Sequence, residues 1–227
     1  MKYLFILFLI FANNFYGQNV RATESLWDLI RSNSNLKYDS ERIEIIKASD
    51  KYNSNQYLIN RLSKNGQRYL YYTVKEGLRK NLPVELSLIP FVESQFDPYA
   101  RSATGASGIW QFIPSTAREN GLKKNWWYDG RRDIVASTEA AYGFLSKLYE
   151  RYGDWLIAIA AYNAGPSRIK KEIEKNKKNG LPTDFWSLNL PRETKAYVPK
   201  ILAIVELIRN PDNFCLLYTS DAADEDL

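Results

Sequence analysis

An all-α fold is predicted for this 227-residue sequence by three features. From about residue 24 onward, apolar residues recur every three or four positions, the spacing of one helix face. No segment alternates apolar and polar residues in the manner of a half-buried strand. Proline stands near the starts of the periodic segments and glycine at their ends, as helix caps prefer.

The elements follow in chain order. "MKYLFILFLIFANNFYGQN" begins with Lys2 and an apolar run from Tyr3 to Ala12, too short to span a bilayer comfortably. Residues 1–17 are expected to be a signal peptide, with export of the remainder to the periplasm or cell envelope. "TESLWDLIRS" offers Thr23 as N-cap to a helix carrying Leu26, Leu29 and Ile30. "SERIEIIKASDKY" and "NQYLINRLSKNG" read as two further helices, the second stopped by Gly66, and "YLYYTVKEGLRKN" as another. "LPVELSLIPFVES" reads as a helix with Pro83 in its first turn, and Pro114-Ser115-Thr116 opens another. In "RRDIVASTEAAYGFLSKLYERYG", Ile134, Thr138, Ala141, Leu145 and Leu148 share a face, and Gly153 is the stop. "DWLIAIAAYNAG" is almost wholly apolar and must be buried. "PRETKAYVPKILAIVELIRN" turns Ile201, Ile204, Val205 and Ile208 inward.

"CLLYTSDAADEDL" has no helical pattern. It resembles the conceptual translation of a transposase sequencing adapter, so residues 214–227 are read as a non-native tail and Cys215 as no part of the chemistry. The expected organisation is a signal at 1–17, a helical lead-in at 18–75, a compact main domain at 76–213 and the tail.

There are 31 Lys and Arg residues, 26 Asp and Glu, and no histidine, for a net charge of +5, or +9 without the tail. The missing histidine excludes Ser-His-Asp and Cys-His catalysis and histidine-ligated zinc. No cofactor or metal is expected. The "KK" and "KNKK" clusters near 170–178 read as a solvated helix face, and with an export signal a nucleic-acid partner is not expected. An acidic polymer outside the cytoplasm would give the charge a partner.

Four stretches are not explained by packing alone. Glu93, followed by Ser94, sits among Leu86, Leu88, Ile89, Phe91, Val92 and Phe96. A carboxyl held in such company keeps its proton to higher pH, which suits a general acid. "ATGASGIWQFIPSTA" places Gln111 between Trp110 and Phe112, after Gly105 and Gly108. "AIAAYNAG" ends an apolar helix with Tyr162 and Asn163, and "ETKAYVPKI" carries Tyr197. Singly, each has a plain structural explanation as turn, core or cap. Together they supply the aromatic faces, amides and hydroxyls of a sugar-binding cleft.

As a set, "ES", "GASGIWQFIPSTA", "AAYNAG" and the late Tyr197 resemble the motifs of the soluble-lytic-transglycosylase domain family, whose core is like that of goose-type lysozyme. The resemblance covers about Glu24 to Asn210. Trp110 stands where the family usually has methionine, an expected change in packing beside the bound sugar. The resemblance implies a compact lysozyme-like catalytic domain whose partner is peptidoglycan glycan strands, and a monomer is expected. It implies that Glu93 protonates the leaving oxygen of the MurNAc-GlcNAc linkage and then serves as base to the C6 hydroxyl of the same MurNAc, giving a 1,6-anhydro end. It also implies that Ser94, Gln111, Tyr162, Asn163 and Tyr197 orient sugars or Glu93. Two alternatives stand beside this. A second carboxylate among Asp97, Asp129, Asp133, Glu139 and Glu193 could activate water, as in a hydrolase. The domain could also bind wall glycan without cutting it.

Overall fold

The computed structural model describes residues 25–210. The signal segment at 1–17, Thr23 and the tail with Cys215 lie outside the described residues. Nine α-helices occur among the described residues: α1 Leu26–Asn33, α2 Ile43–Asn53, α3 Gln56–Arg79, α4 Ile89–Ser94, α5 Pro114–Glu119, α6 Ile134–Tyr152, α7 Trp155–Ala164, α8 Pro166–Lys178 and α9 Arg192–Arg209. Short 3₁₀ turns at Val84–Leu88 and Phe185–Ser187 join them. Extended pairing among the described residues is confined to the isolated bridges Arg101–Ser107, Ser107–Phe112 and Lys124–Asp129. The fold is all-α, as the periodicity requires.

Three boundaries differ from the sequence expectation. The cap of α1 is Ser25, whose hydroxyl accepts from the Asp28 amide. The two helices expected on either side of Gly66 are one 24-residue helix, α3. A glycine stops a helix by turning left-handed, and Gly66 is not among the glycines with positive φ. Inside a helix, glycine costs only about 1 kcal/mol relative to alanine, and the buried Leu70 and Val74 one and two turns later hold the segment helical. The helix expected from Pro83 is a 3₁₀ turn followed by α4. Pro90 lacks the N–H that would continue a ladder from the preceding turn, so it opens a new helix instead.

The other assignments hold. Asp133 caps α6 through the Ala136 amide, and Gly153 closes it at φ 69°. Asp154 caps α7, whose residues Leu156–Ala161 are all buried. In α9, Ile201, Ile204, Val205 and Ile208 are buried. Lys170, Lys171, Lys175, Lys177 and Lys178 lie exposed along α8. No described helix is long and apolar enough to cross a membrane.

Helix α9 is the pillar of the core, packed against α1, α2, α4 and α7. One buried carboxylate fastens the N-terminal helices to it. Glu85, fully buried in the first 3₁₀ turn, accepts from Ser34 Oγ (2.7 Å) and the Leu36 amide (2.8 Å), and pairs with Arg209 at 3.3 Å. Arg209 also donates to Ser34 and Tyr38.

Gly108 fixes the loop before α5. It sits at φ 82°, and a Cβ there would lie 1.7 Å from the Arg131 carbonyl oxygen, which is rigid backbone. Gly108→Ala should therefore lower unfolding free energy by at least about 4 kcal/mol, the range reserved for steric and buried-network lesions. Urea denaturation reads this directly; a loss below about 1 kcal/mol would show that the loop relaxes around the methyl group.

Candidate active site

Helix α4 ends one residue after Glu93. The next two residues, Gln95 (φ 54°) and Phe96 (φ 60°), are both left-handed, and they turn the chain away. Glu93 is left at the helix end, on the wall of a cavity of about 260 Å³ that Gln111, Phe112, Phe144, Tyr162 and Asn163 also line. Among the described residues, Glu93 is the only carboxylate on that wall.

The carboxyl keeps partial access to the cavity, yet protein atoms crowd it from most directions. Burial pushes its pKa up to about 7, and the charge of Glu193 adds to the rise. A hydrogen bond from Tyr197 and the charge of Lys200 oppose it. Tyr197 donates its hydroxyl to Glu93 Oε1 at 2.5 Å. Burial and the adjacent Glu93 hold the Tyr197 phenol well above its usual pKa, so it remains a donor.

The remaining predicted residues surround this pair in different ways. Tyr162 lines the cavity, and its hydroxyl is spent on the Trp110 carbonyl at 2.7 Å. Its ring meets Phe112 edge-on at 6.1 Å and Phe144 at 5.7 Å. Asn163 lines the cavity, and its Oδ1 accepts from Thr194 at 2.8 Å. Gln111 is left-handed at φ 48°, and its Nε2 donates to the carbonyls of Gly108 (2.7 Å) and Ala100 (3.3 Å). Ser94 does not line the cavity; its hydroxyl donates to the Ile109 (3.0 Å) and Pro90 (3.2 Å) carbonyls, tying α4 to the Gly108 loop. Tyr197 reaches Glu93 from the buried face of α9 rather than from the cavity wall.

Trp110 corrects an expectation. It is fully buried, donates to Thr138 Oγ1 at 2.9 Å and stacks edge-on with Tyr142 at 5.3 Å. It fills the core, and the cavity wall beside it is made by Gln111 and Phe112.

The other acids are committed elsewhere. Asp97 caps the turn at Tyr99. Asp129 is held by Arg131 at 2.7 Å, and Asp133 caps α6. Glu139 is exposed near Lys80, and Glu193 acts on Glu93 through charge alone. Sequence reasoning passed over Thr194, a buried hydroxyl one helical turn before Tyr197 that orients Asn163. The signal was present: a threonine on the inward face of α9 needs a polar partner. Among the described residues no cluster of three or more acidic, histidine or cysteine side chains could hold a metal ion. A larger groove of about 550 Å³ lies between α2, α4 and α9, but its one acid, Glu44, is exposed and faces Arg42.

The all-helical frame thus holds one desolvated carboxyl on the wall of a cavity of about 260 Å³. Residues 71–183 match the Transglycosylase SLT domain, and the chain belongs to that family. It is 42% identical over 199 residues to membrane-bound lytic murein transglycosylase D of Escherichia coli (strain K12), spanning 87% of this chain and 44% of that protein. It is 39% identical over 154 residues to a putative tributyltin chloride resistance protein of Alteromonas sp. (strain M-1), covering 66% of this chain and 73% of that one. In fold it matches the crystal structure of an inactive mutant of lytic transglycosylase Slt from Pseudomonas aeruginosa, with TM-score 0.50 and 24% identity over 90% of this chain and 35% of that one. The chain thus spans less than half the length of its E. coli relative.

A raised carboxyl pKa contributes stability below the unfolded value near 4.5 and loses it as pH climbs through about 7, because the folded state then carries a desolvated charge. Glu93→Gln should therefore gain on the parent between pH 4 and pH 8, by up to about 3 kcal/mol at 1.36 kcal/mol per unit. Urea denaturation at both pH values tests this; a constant difference would show that Glu93 is not titrating in that window. Tyr197→Phe removes the hydrogen bond that favours the charged form, so a carboxyl NMR titration should place the Glu93 midpoint higher than in the parent.

Proposed function

We propose that this chain cleaves the MurNAc-GlcNAc β-1,4 bond of peptidoglycan by intramolecular transglycosylation, leaving 1,6-anhydroMurNAc ends. The observation that carries this reading is Glu93, the one carboxylate among the described residues lining the cavity, whose pKa burial pushes up to about 7, so that a large fraction keeps its proton near neutral pH. Glycosidases usually need two carboxyl groups, one as acid and one as nucleophile or base. A single carboxyl suffices when its two tasks come in sequence.

In the first step the Glu93 proton passes to the leaving oxygen as the C1–O bond breaks. Tyr197 donates to the carboxylate so produced and stabilises it. In the second step that carboxylate takes the proton of the C6 hydroxyl, and O6 closes on C1. No water is consumed, and the carboxyl ends protonated as it began. The nucleophile is already attached to the sugar, so its effective concentration is high. Tyr162, Phe112 and Phe144 offer ring faces to the sugar, and Asn163, fixed by Thr194, offers its amide. Gln111 and Ser94 hold the wall on which these groups sit. We further propose that the protein works as a monomer in the periplasm or cell envelope, where this polymer lies. The names of its murein-acting relatives support that location.

Glu93→Gln keeps the shape and cannot give up a proton. Lysis of purified sacculi should fall by about 10⁴-fold, the upper end for general acid–base catalysis, since one group performs both halves. Mass analysis of products from the unaltered protein should find 1,6-anhydroMurNAc, lighter by one water than the reducing sugar. Reducing ends would instead show that water attacks, and glycan binding without any cleavage would leave a binding module.

A further inference from the structure

The loop before α6 displays its aromatic residues instead of burying them. Trp126 is 88% exposed and Trp127 is 90% exposed, more than any other large hydrophobic side chain among the described residues. An indole can bury about 150–250 Å², and here that surface is left in water. The loop is nevertheless tightly built. Asn125 Oδ1 accepts from the amides of Trp127 (2.9 Å) and Tyr128 (2.8 Å). The Asn125 amide donates to the Tyr128 carbonyl, and the Gly130 amide to the Lys123 carbonyl, both at 2.8 Å. Beneath the tip, Arg131 pairs with Asp129 and donates to the carbonyls of Gly105 (2.7 Å) and Phe112 (3.2 Å). Phe112 is part of the Glu93 cavity wall, so the tip and the wall are braced as one piece.

Trp126 and Trp127 stand nearly perpendicular, 6.5 Å apart. With Tyr99, itself 75% exposed, Arg101 and Arg132, they line a groove of about 660 Å³. Trp126 also walls a second hollow of about 470 Å³ beside Arg118. Aromatic faces next to fork-shaped cations suit a sugar, whose ring offers a C–H face and a polar rim. Arg101 has no ion pair among the described residues and can meet a lactyl carboxylate. A bilayer fits less well: the surface is concave, and Asp129 and Asp133 lie in its lining.

We propose that Trp126, Trp127 and Tyr99 form a docking platform for a β-1,4-linked N-acetylated glycan strand, outside the catalytic cavity. The identity of that ligand rests on the glycan reading of the cavity itself. The platform holds the strand on the same rigid piece that carries the cavity wall.

The test uses the whole protein with Glu93→Gln, which binds without cutting, and peptide-free glycan strands prepared with an amidase. Isothermal titration gives the affinity. Adding Trp126→Ala and Trp127→Ala should weaken binding at least about tenfold, as should a smaller loss in each single variant accumulate to that value. Phenylalanine at both positions should restore most of it, since a flat ring remains. Because the side chains are exposed, melting temperature should not change. Equal affinity with and without the two indoles overturns the proposal. So does loss of phosphatidylglycerol-vesicle binding with strand affinity intact, which would assign the tip to a bilayer. The readout needs no cleavage, so reducing-end products would sink the transglycosylase reading and leave the platform standing.

Discussion

The hydrogen bond from Tyr197 to Glu93 joins residues 104 apart in sequence, and the rest of the molecule is arranged around that meeting. It forms only if α9 lies against α4 in one register. Desolvation raises the carboxyl pKa, and the Tyr197 hydrogen bond restrains the rise. A midpoint of about 7 is the compromise between the two.

Backbone strain gathers at the same place. Four non-glycine residues have positive φ among the described residues: Asn81, Gln95, Phe96 and Gln111. Gln95 and Phe96 end the helix that carries Glu93, and Gln111 lines the same cavity. Left-handed non-glycine residues cost about 1–3 kcal/mol each and persist where packing overdetermines them. Here the packing is supplied by the fully buried Phe96, by the Ser94 bond to Ile109 and by the Gln111 bond to Gly108. Stability is given up locally where Glu93 and Gln111 meet one cavity.

The family match ends at residue 183, while Thr194 and Tyr197 lie beyond it. The matched segment therefore lacks the hydroxyl that meets its own acid. Helix α9 completes the site, and the N-terminal helices hold α9 in place through α2 packing and through Glu85. The lead-in is not a separate appendage in this sense: α3 runs unbroken through residue 75 and delivers the chain to the turn that holds Glu85. One oxygen of Glu85 gathers Ser34, Leu36 and Arg209. Glu85 is fully buried while Arg209 reaches it from a partly exposed position, so losing Arg209 would leave a desolvated carboxylate with one partner fewer at the joint that holds α9.

The sequence by itself determined the helical class, because period and punctuation are local properties, and it singled out Glu93 because an acid in an apolar run is anomalous on its face. It also set Gly153 as the end of α6 and the inward face of α9. It misplaced the break at Gly66, since glycine weakens a helix locally but only tertiary packing decides whether the helix continues. It grouped Ser94, Gln111, Tyr162, Asn163 and Tyr197 without ranking them. Their roles depend on which hydrogen bonds each has already spent, and those partners lie up to 104 residues away. The placement of Trp110 in the core, the commitment of Asp97, Asp129 and Asp133 to turns, caps and an ion pair, and the pKa of Glu93 follow from burial and distance. Those are properties of the assembled fold, and no local pattern encodes them.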